Sequence, residues 1–231
     1  MIKKMKRNVI SIIPVYNERF GIDIVVRDVL RESIVDDCVV VDDGSMDDTA
    51  KIAKQVGATV LRLKQNRGSA NATKIGLQYA VKNNFKKVVL LDGDGQHDPK
   101  YIPDLIQELE KGADVVVGSR YIYNTERSTS IIRKFGTKII SLAIKWRYGV
   151  AVHDPTSGFR AINRKTMNYL IKDYPTTFSE PEVIIQLIKA GFRIKEISVP
   201  MKKRIYGKSS ISLWKAVCLM TFILRKIMFD V

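Results

Sequence analysis

Short apolar runs rich in β-branched residues alternate with helical patterns through the first half of the chain. The runs Val9–Ile13, Cys38–Val41 and Val88–Leu91 are apolar at consecutive positions, which is typical of parallel strands buried on both faces. The amphipathic segments between them, such as Ile22–Leu30 and Ala70–Lys82, predict helices. This alternation predicts an α/β fold with a doubly wound, mainly parallel sheet flanked by helices. The same patterns predict strands at Thr59–Leu63, Val115–Val117 and Ile194–Val199, and helices at Asp48–Val56, Ile102–Leu109, Ser130–Tyr148 and Glu182–Lys189.

The length of 231 residues fits one domain with an appendage, and no internal repeat or low-complexity linker divides it. Four basic residues precede the first apolar run, as in an export signal, but Pro14 stops that run after a few residues. We therefore expect a strand there and no export signal. Only two cysteines occur, Cys38 and Cys218, so a disulfide framework is absent and we expect a reducing compartment.

The formal net charge of +15 indicates a polyanionic partner. The excess of positive charge lies in the second half of the chain. A nucleic acid is one such partner, but aromatic residues make up only 8% and are not interleaved with basic ones on a strand face. We therefore expect no nucleic-acid partner, and favour an anionic membrane surface or phosphorylated substrates.

Two carboxylates and an amide directly follow the predicted strand Val88–Leu91. Asp92, Asp94 and Gln96 form a compact group of hard oxygen ligands there. Mg²⁺ and Mn²⁺ prefer one or two carboxylates, with substrate phosphates and waters completing the shell. Acidic turns after strands are also common without a metal. Here the turn follows a buried strand, which favours a metal–diphosphate site.

Two other predicted strands end in residues suited to a nucleoside. Asp43 offers a carboxylate to a base N–H or a ribose hydroxyl, Tyr16 a ring for stacking, and Glu18 a second carboxylate. Each alone is also explained by a surface turn or a helix cap. The chain has no Gly-x-Gly-x-x-Gly after its first strand, no Walker-type loop and no Gly-x-Ser-x-Gly elbow. Dehydrogenase, P-loop and hydrolase functions are therefore disfavoured.

Six ordered motifs resemble the family 2 glycosyltransferases of the GT-A fold. Within that family the chain is most similar to the branch of dolichol-phosphate mannose synthase and the bacterial polyprenyl-phosphate glycosyltransferases. The resemblance runs from about Val9 to Ser210. The motifs are Pro14–Glu18, Asp42–Ser45, Asp92–Pro99, Gly118–Tyr121, Asp154–Arg160 and Glu196–Ser210.

The resemblance implies a role for each matching residue. The nucleoside would be held by Pro14, Tyr16, Glu18, Val41 and Asp43. A Mg²⁺ or Mn²⁺ ion would be bound by Asp92, Asp94 and Gln96, with Gly93 at the diphosphate and Asp94 essential for catalysis. Substrate phosphates would be met by Arg120, Arg133, Arg204 and Lys208. Lys208 would replace the lysine that relatives often carry where Ser210 stands.

The implied reaction is an inverting transfer of a sugar from a nucleoside diphosphate to a polyprenyl phosphate, which is anionic already and needs no general base. Two alternatives stay open. One is transfer to a hydroxyl acceptor, which needs a base such as Asp154, Glu180 or Glu182; the other is nucleotidyl transfer. The chain would act in the cytoplasm, at the inner face of the cell membrane, with a small membrane protein or a second copy as a conceivable partner.

The C-terminal segment 211–231 is treated separately from the catalytic domain 1–210. From Ala216 to Leu224 only Thr221 is polar, and basic residues flank this run. It is too short to cross a bilayer as a helix. The pattern favours a helix lying in a membrane interface or docked on a membrane partner, with a core helix packed on the domain as the alternative.

Overall fold

The computed structural model describes residues 8–122, 131–175, 179–202 and 213–229. The described chain alternates strands and helices through most of its length. The strands are β1 (Val9–Val15), β2 (Asp37–Asp42), β3 (Thr59–Arg62), β4 (Lys87–Leu90), β5 (Val115–Ser119), β6 (Arg160–Asn163) and β7 (Ile194–Ser198). The helices are α1 (Ile22–Arg31), α2 (Thr49–Gln55), α3 (Ser69–Lys82), α4 (Ile102–Glu110), α5 (Ile131–Tyr148), α6 (Arg164–Leu170), α7 (Ser179–Lys189) and α8 (Leu213–Phe229).

The strands form one sheet in the order β3-β2-β1-β4-β6-β5-β7. All neighbours are parallel except β6, which runs antiparallel to both β4 and β5. The predicted mainly parallel α/β sheet is thus confirmed. The polar stretch around His153–Arg160, in contrast, leads into β6 and α6, which the sequence patterns did not predict. Strand β6 is four residues long and begins with an arginine, so its hydrophobic pattern is too short to be recognised.

The buried strands explain the runs of consecutive apolar residues. Alternate residues of β1 point to opposite faces of the sheet, so that Ile10 and Ile12 lie in one hydrophobic layer and Val9 and Ile13 in the other. The first layer is covered by α3 and α5–α8, and the second by α1, α2 and α4. Because both faces are covered, functional side chains are confined to the two edges where strands begin and end.

Helix α8 packs on the domain over the half whose side chains are described, from Met220 to Met228. Ile223 and Ile227 are fully buried in the layer shared with α5 and α7. The Lys226 Nζ lies 2.7 Å from a carboxylate oxygen of Glu182 on α7. These contacts favour the core-helix alternative for this half. Among the described residues, no helix combines the length and the apolar character that crossing a bilayer requires.

Candidate active site

The loops after β1 and β2 are hydrogen-bonded to each other at the carboxyl edge of the sheet. The backbone N–H of Asn17 donates to the Ser45 hydroxyl at 2.9 Å, and the Asn17 side-chain oxygen accepts from the N–H of Met46 at 2.9 Å. The N–H of Glu18 donates to the hydroxyl of Thr49 at 2.9 Å. Asn17 has a φ of 56°, a left-handed conformation that asparagine tolerates better than most residues. The two loops therefore form one wall of the edge.

The residues assigned to the nucleoside differ in how accessible they are. Tyr16 is 40% exposed and Glu18 is half-buried beside it, so both lie on the surface of this wall. Pro14 is partly buried and pairs with Val41 across the β1–β2 ladder. Val41 is fully buried in the core beneath α3 and presents no open surface. Its assignment to the nucleoside stays a prediction.

Asp43 is held by the backbone of the loop that precedes α3. Its two carboxylate oxygens accept the N–H groups of Arg67 and Gly68, at 2.9 Å and 2.7 Å. The carboxylate thereby joins the end of β2 to the start of α3. Asp43 is 2% exposed, and its role toward a nucleoside stays a prediction.

The predicted metal residues occupy the loop after β4. The side chain of Asp92 is 52% exposed, whereas Asp94 is buried and one of its oxygens accepts the N–H of Gln96 at 2.9 Å. The carbonyl of Gln96 accepts the N–H of Lys202 at 2.9 Å, which brings the chain after β7 to this loop. Gly93 is required between the two carboxylates, because a Cβ there would lie 2.6 Å from the Val15 side chain.

His97 fixes the orientation of this loop, a role that the sequence did not reveal. Its Nδ1 accepts the backbone N–H of Asp92 at 3.0 Å, and its Nε2 lies 3.7 Å from the Asp92 carboxylate. Burial lowers the pKa of His97 to about 4, so the ring is neutral at pH 7. A neutral ring that accepts at Nδ1 carries its proton on Nε2, facing Asp92. The ring also stacks on Phe159, with centroids 5.1 Å apart.

The loop that leads into β6 packs directly against the metal residues. A Cβ on Gly158 would lie 3.0 Å and 3.1 Å from the two carboxylate oxygens of Asp92, so a larger residue would oblige the carboxylate to move. The Ser157 hydroxyl donates to the carbonyl of Gly118 at 2.7 Å, which ties the loop to β5. The buried guanidinium of Arg160 donates to the carbonyl of Ser157 at 2.7 Å, which stiffens the loop from below.

Arg120 is bound to a carboxylate of the same loop. Its Nε and Nη2 donate to the two oxygens of Asp154, at 2.6 Å and 2.7 Å, and Nη2 also donates to the Thr156 hydroxyl at 2.7 Å. Asp154 is fully buried and the Arg120 side chain is 17% exposed. Such a bidentate pair fixes the plane of the guanidinium. Glu196 supports the pair from β7, since its carboxylate accepts the N–H groups of His153 and Asp154.

The three carboxylates considered as a general base are placed differently. Asp154 is fully buried against Arg120, and Glu182 is 4% exposed and paired with Lys226. Glu180 is partly buried, and its charge, like those of Asp154 and Asp92, favours the charged form of Arg160. Neither Asp154 nor Glu182 therefore presents its carboxylate to open solvent.

Some predicted phosphate ligands cannot be located. Arg204 and Lys208 lie outside the described residues. Arg133 lies in the first turn of α5, but its side chain is not described. Their roles, and that of Arg120 toward a substrate phosphate, stay predictions.

The side chains of this loop fit a divalent metal whose remaining ligands come from a substrate. Among the described residues, no group of three or more His, Cys, Asp and Glu side chains is arranged to hold a metal ion. Mg²⁺ and Mn²⁺ do not need such a cage, because phosphate oxygens and waters supply the remaining ligands. Asp92 and Asp94 offer the one or two carboxylates that this arrangement needs, and the side chain of Gln96 offers an amide oxygen.

Comparison with known proteins places this geometry in a family. The chain is 31% identical to an uncharacterised protein of Methanocaldococcus jannaschii over 90% of this chain and 85% of that one. It is 28% identical to the polyprenol monophosphomannose synthase of Mycolicibacterium smegmatis, over 87% of this chain and 80% of that one. It is 29% identical to the undecaprenyl-phosphate 4-deoxy-4-formamido-L-arabinose transferase of Pseudomonas aeruginosa, over 90% of this chain and 62% of that one.

A solved structure shares the fold. The glucosyl-3-phosphoglycerate synthase of Mycobacterium tuberculosis, crystallised with Mn²⁺, uridine-diphosphate-glucose and phosphoglyceric acid, superposes with a TM-score of 0.75 at 19% identity. The match covers 96% of this chain and 79% of that one. The family described as Glycosyl transferase family 2 matches residues 11–170, which include the loops after β1, β2 and β4 and the loop before β6. The chain therefore belongs to glycosyl transferase family 2, and it is a glycosyltransferase of the GT-A fold.

Proposed function

We propose that the chain transfers a sugar from a nucleoside-diphosphate sugar to a polyprenyl phosphate at the cytoplasmic face of a membrane, with inversion at the anomeric carbon. Two relatives are named for transfer to, or synthesis of, polyprenyl-linked sugars. One observation within the site carries the proposal: Asp154 and Glu182 are both buried and ion-paired.

A hydroxyl acceptor has to lose a proton as it attacks, and a carboxylate within hydrogen-bond reach must accept that proton. Asp154 and Glu182 hold cations of the protein instead, and the charge of the partly buried Glu180 acts on the buried Arg160. A phosphate monoester is anionic at neutral pH and carries its nucleophilic oxygen without help from a base. The arrangement therefore favours a phosphate acceptor over a hydroxyl.

The mechanism assigns the remaining groups to positioning and charge. An oxygen of the lipid phosphate forms a bond to the anomeric carbon, and the bond from that carbon to the nucleoside diphosphate breaks. Asp92 and Asp94, held by His97 and by the N–H of Gln96, would bind a divalent metal, which neutralises charge on the departing diphosphate. Arg120, whose guanidinium plane is fixed by Asp154, would contact the acceptor phosphate.

The test uses the purified full chain with Mg²⁺ or Mn²⁺ and a panel of UDP-, GDP- and dTDP-sugars. The acceptors are polyprenyl phosphate in detergent and, as the matched control, the corresponding polyprenol, which lacks only the phosphate. We expect one donor to release its nucleoside diphosphate and to form a lipid-linked sugar with the phosphate alone. Transfer to the polyprenol, or release that does not depend on either lipid, would overturn the proposal.

A further inference from the structure

Helix α5 carries a row of large apolar side chains on its solvent face. Phe135, Leu142 and Trp146 are 64%, 57% and 72% exposed. At about 100° per residue these three positions fall within an arc of about 40°. The buried apolar residues described on the helix, Ile140 and Ile144, lie on the opposite side. The row is thus a single apolar stripe, separate from the face that packs on the domain.

Positive charge accompanies this stripe. Lys138 and Lys145 are exposed, and both fall on one flank of it. The whole helix, from Ile131 to Tyr148, has five basic residues and no acidic one. An apolar stripe containing a tryptophan and flanked by lysines matches the boundary between lipid headgroups and acyl chains, where tryptophan is enriched and lysine meets anionic headgroups.

The same helix contacts the candidate active site. Thr137 is buried, and its hydroxyl lies 3.3 Å from the hydroxyl of Thr156, which in turn accepts a hydrogen bond from Arg120. Thr137 falls on the side of α5 opposite to Phe135 and Trp146. One face of the helix therefore meets the loop beside Arg120 while the other faces solvent.

We infer that α5 is the surface by which this enzyme lies on an anionic membrane, with Phe135, Leu142 and Trp146 inserted among the headgroups. The inference rests on the proposed function in one respect, since a polyprenyl phosphate keeps its phosphate at the height of the headgroups. A membrane against α5 brings that phosphate to the Arg120 end of the site. The expected membrane surface is thereby moved from α8 to α5, because the exposed apolar side chains described on α8, Phe222 and Met228, lie about 120° apart and form no such stripe.

The test measures co-sedimentation of the full chain with vesicles, without any substrate. Vesicles of phosphatidylcholine are compared with vesicles that also contain phosphatidylglycerol. The double variant Leu142→Gln/Trp146→Gln should lose at least about tenfold in affinity for the anionic vesicles, because two large apolar side chains no longer insert. Lys138→Gln/Lys145→Gln should lose about fivefold for each lysine, and only on anionic vesicles.

Matched controls lie on other helices. Ile24→Gln/Leu30→Gln removes two exposed apolar side chains from α1, and Lys51→Gln/Lys54→Gln removes two exposed lysines from α2. We expect both controls to bind vesicles as the unaltered chain does. Equal binding by the Leu142→Gln/Trp146→Gln variant would overturn the inference. A loss in the controls as large as in the α5 variants would also overturn it, because it would show attraction by overall charge or hydrophobicity.

A second readout separates this surface from the proposed reaction. Leu142→Gln/Trp146→Gln should keep its transfer to a short, water-soluble polyprenyl phosphate but lose transfer to a long-chain acceptor embedded in vesicles. If the unaltered chain binds anionic vesicles through α5 but transfers sugar to neither acceptor, the proposed function falls and the membrane surface stands. If the variants bind vesicles normally but change from dimer to monomer, α5 is an interface between copies and the inference falls.

Discussion

Two aspartates at opposite edges of the sheet, Asp114 and Asp92, are used in different ways. At the edge where β5 and β7 begin, Asp114 is 5% exposed, and its oxygens accept from the N–H of Arg193 and the side chain of Asn163, at 3.0 Å and 2.9 Å. Asp36, although exposed, also ties the chain together beside β1, since one of its oxygens accepts the N–H groups of Asn8 and Val9. At this edge the carboxylates tie strands and loops together.

At the edge where β4 ends, Asp92 keeps half of its side chain exposed although a histidine, a glycine and a buried loop surround it. The protein holds this loop through its backbone and leaves carboxylate surface open. The difference between Asp114 and Asp92 is that the oxygens of the first bind donors of the protein, whereas the second keeps half of its side chain exposed on a loop that its neighbours hold in place, as a ligand site requires. Four changes would break or sharpen this distinction.

Asp94→Asn should have the largest effect. Removing one charge from the predicted metal pair should lower the rate of sugar transfer by about a hundredfold to a thousandfold or more. The free energy of unfolding should stay nearly constant, because the amide oxygen still accepts the N–H of Gln96. Turnover assays and urea denaturation check this, with the exposed Asp104→Asn on α4 as control. Retained activity would remove Asp94 from the metal site.

Arg120→Ala should lower both stability and turnover. It leaves the buried charge of Asp154 without its bidentate partner, which costs about 3–5 kcal/mol in the free energy of unfolding. Turnover should fall more than nucleotide affinity. The double variant Arg120→Met/Asp154→Leu should recover much of the stability but no activity. A pure loss of nucleotide affinity would move Arg120 to the donor side.

Asp114→Asn should lower stability by about 1–3 kcal/mol at neutral pH and leave turnover per folded molecule unchanged. Burial raises the pKa of the Asp114 carboxyl, but the Arg193 N–H, the Asn163 amide and the charges of Lys165 and Arg193 bring it below its ordinary value. The stabilisation is then complete above the unfolded value of about 4 and disappears as the pH falls through the lower folded value.

Urea denaturation of both proteins between pH 7 and pH 3 checks this dependence. The difference in free energy of unfolding between Asp114→Asn and the unaltered chain should become smaller as the pH falls toward 3. A difference that stays constant with pH would mean that the charge of Asp114 contributes nothing to the free energy of unfolding.

Gly158→Ala should have the smallest effect. The added Cβ would press on the Asp92 carboxylate at 3.0–3.1 Å, and that half-exposed side chain has room to turn away. We expect a stability change within about 0.5 kcal/mol and about a tenfold loss of turnover, because Asp92 leaves its position. Gly136→Ala on α5, where a Cβ meets nothing within 4 Å, is the control. A large loss of stability would place Gly158 among the structural residues.

Much of this architecture was predictable from local patterns. Buried strands such as β2 read as consecutive apolar residues, and the left-handed Gly57, with a φ of 103°, follows α2 where the sequence predicts its end. The approach of Asp92 to the other strand ends followed from the rule that parallel strands present their carboxyl ends at one edge. The motifs of the loops were therefore grouped correctly before any contact was known.

The parts that could not be predicted depend on long-range contacts. Nothing local to His97 indicates that its ring accepts the N–H of Asp92 or stacks on Phe159, sixty-two residues further along the chain. The pairing of Arg120 with Asp154 likewise joins residues from β5 and from the loop before β6. Exposure of one face of α5 was also hidden, because its apolar residues occupy both sides of the helix.

The reversed direction of β6 has a consequence for how the protein reaches its active form. Because β6 runs against its neighbours, the loop that enters it, and not the loop that leaves it, lies beside Asp92. This loop lies some sixty residues after Asp92 in the chain, and helices α4 and α5 come between them. Contacts of such sequence separation carry a loop-closure cost before they stabilise the fold, and proteins rich in them fold slowly. Catalytic competence should therefore depend on the pairing of β6 between β4 and β5, and a chain that loses this pairing should keep its loop carboxylates without being able to turn over.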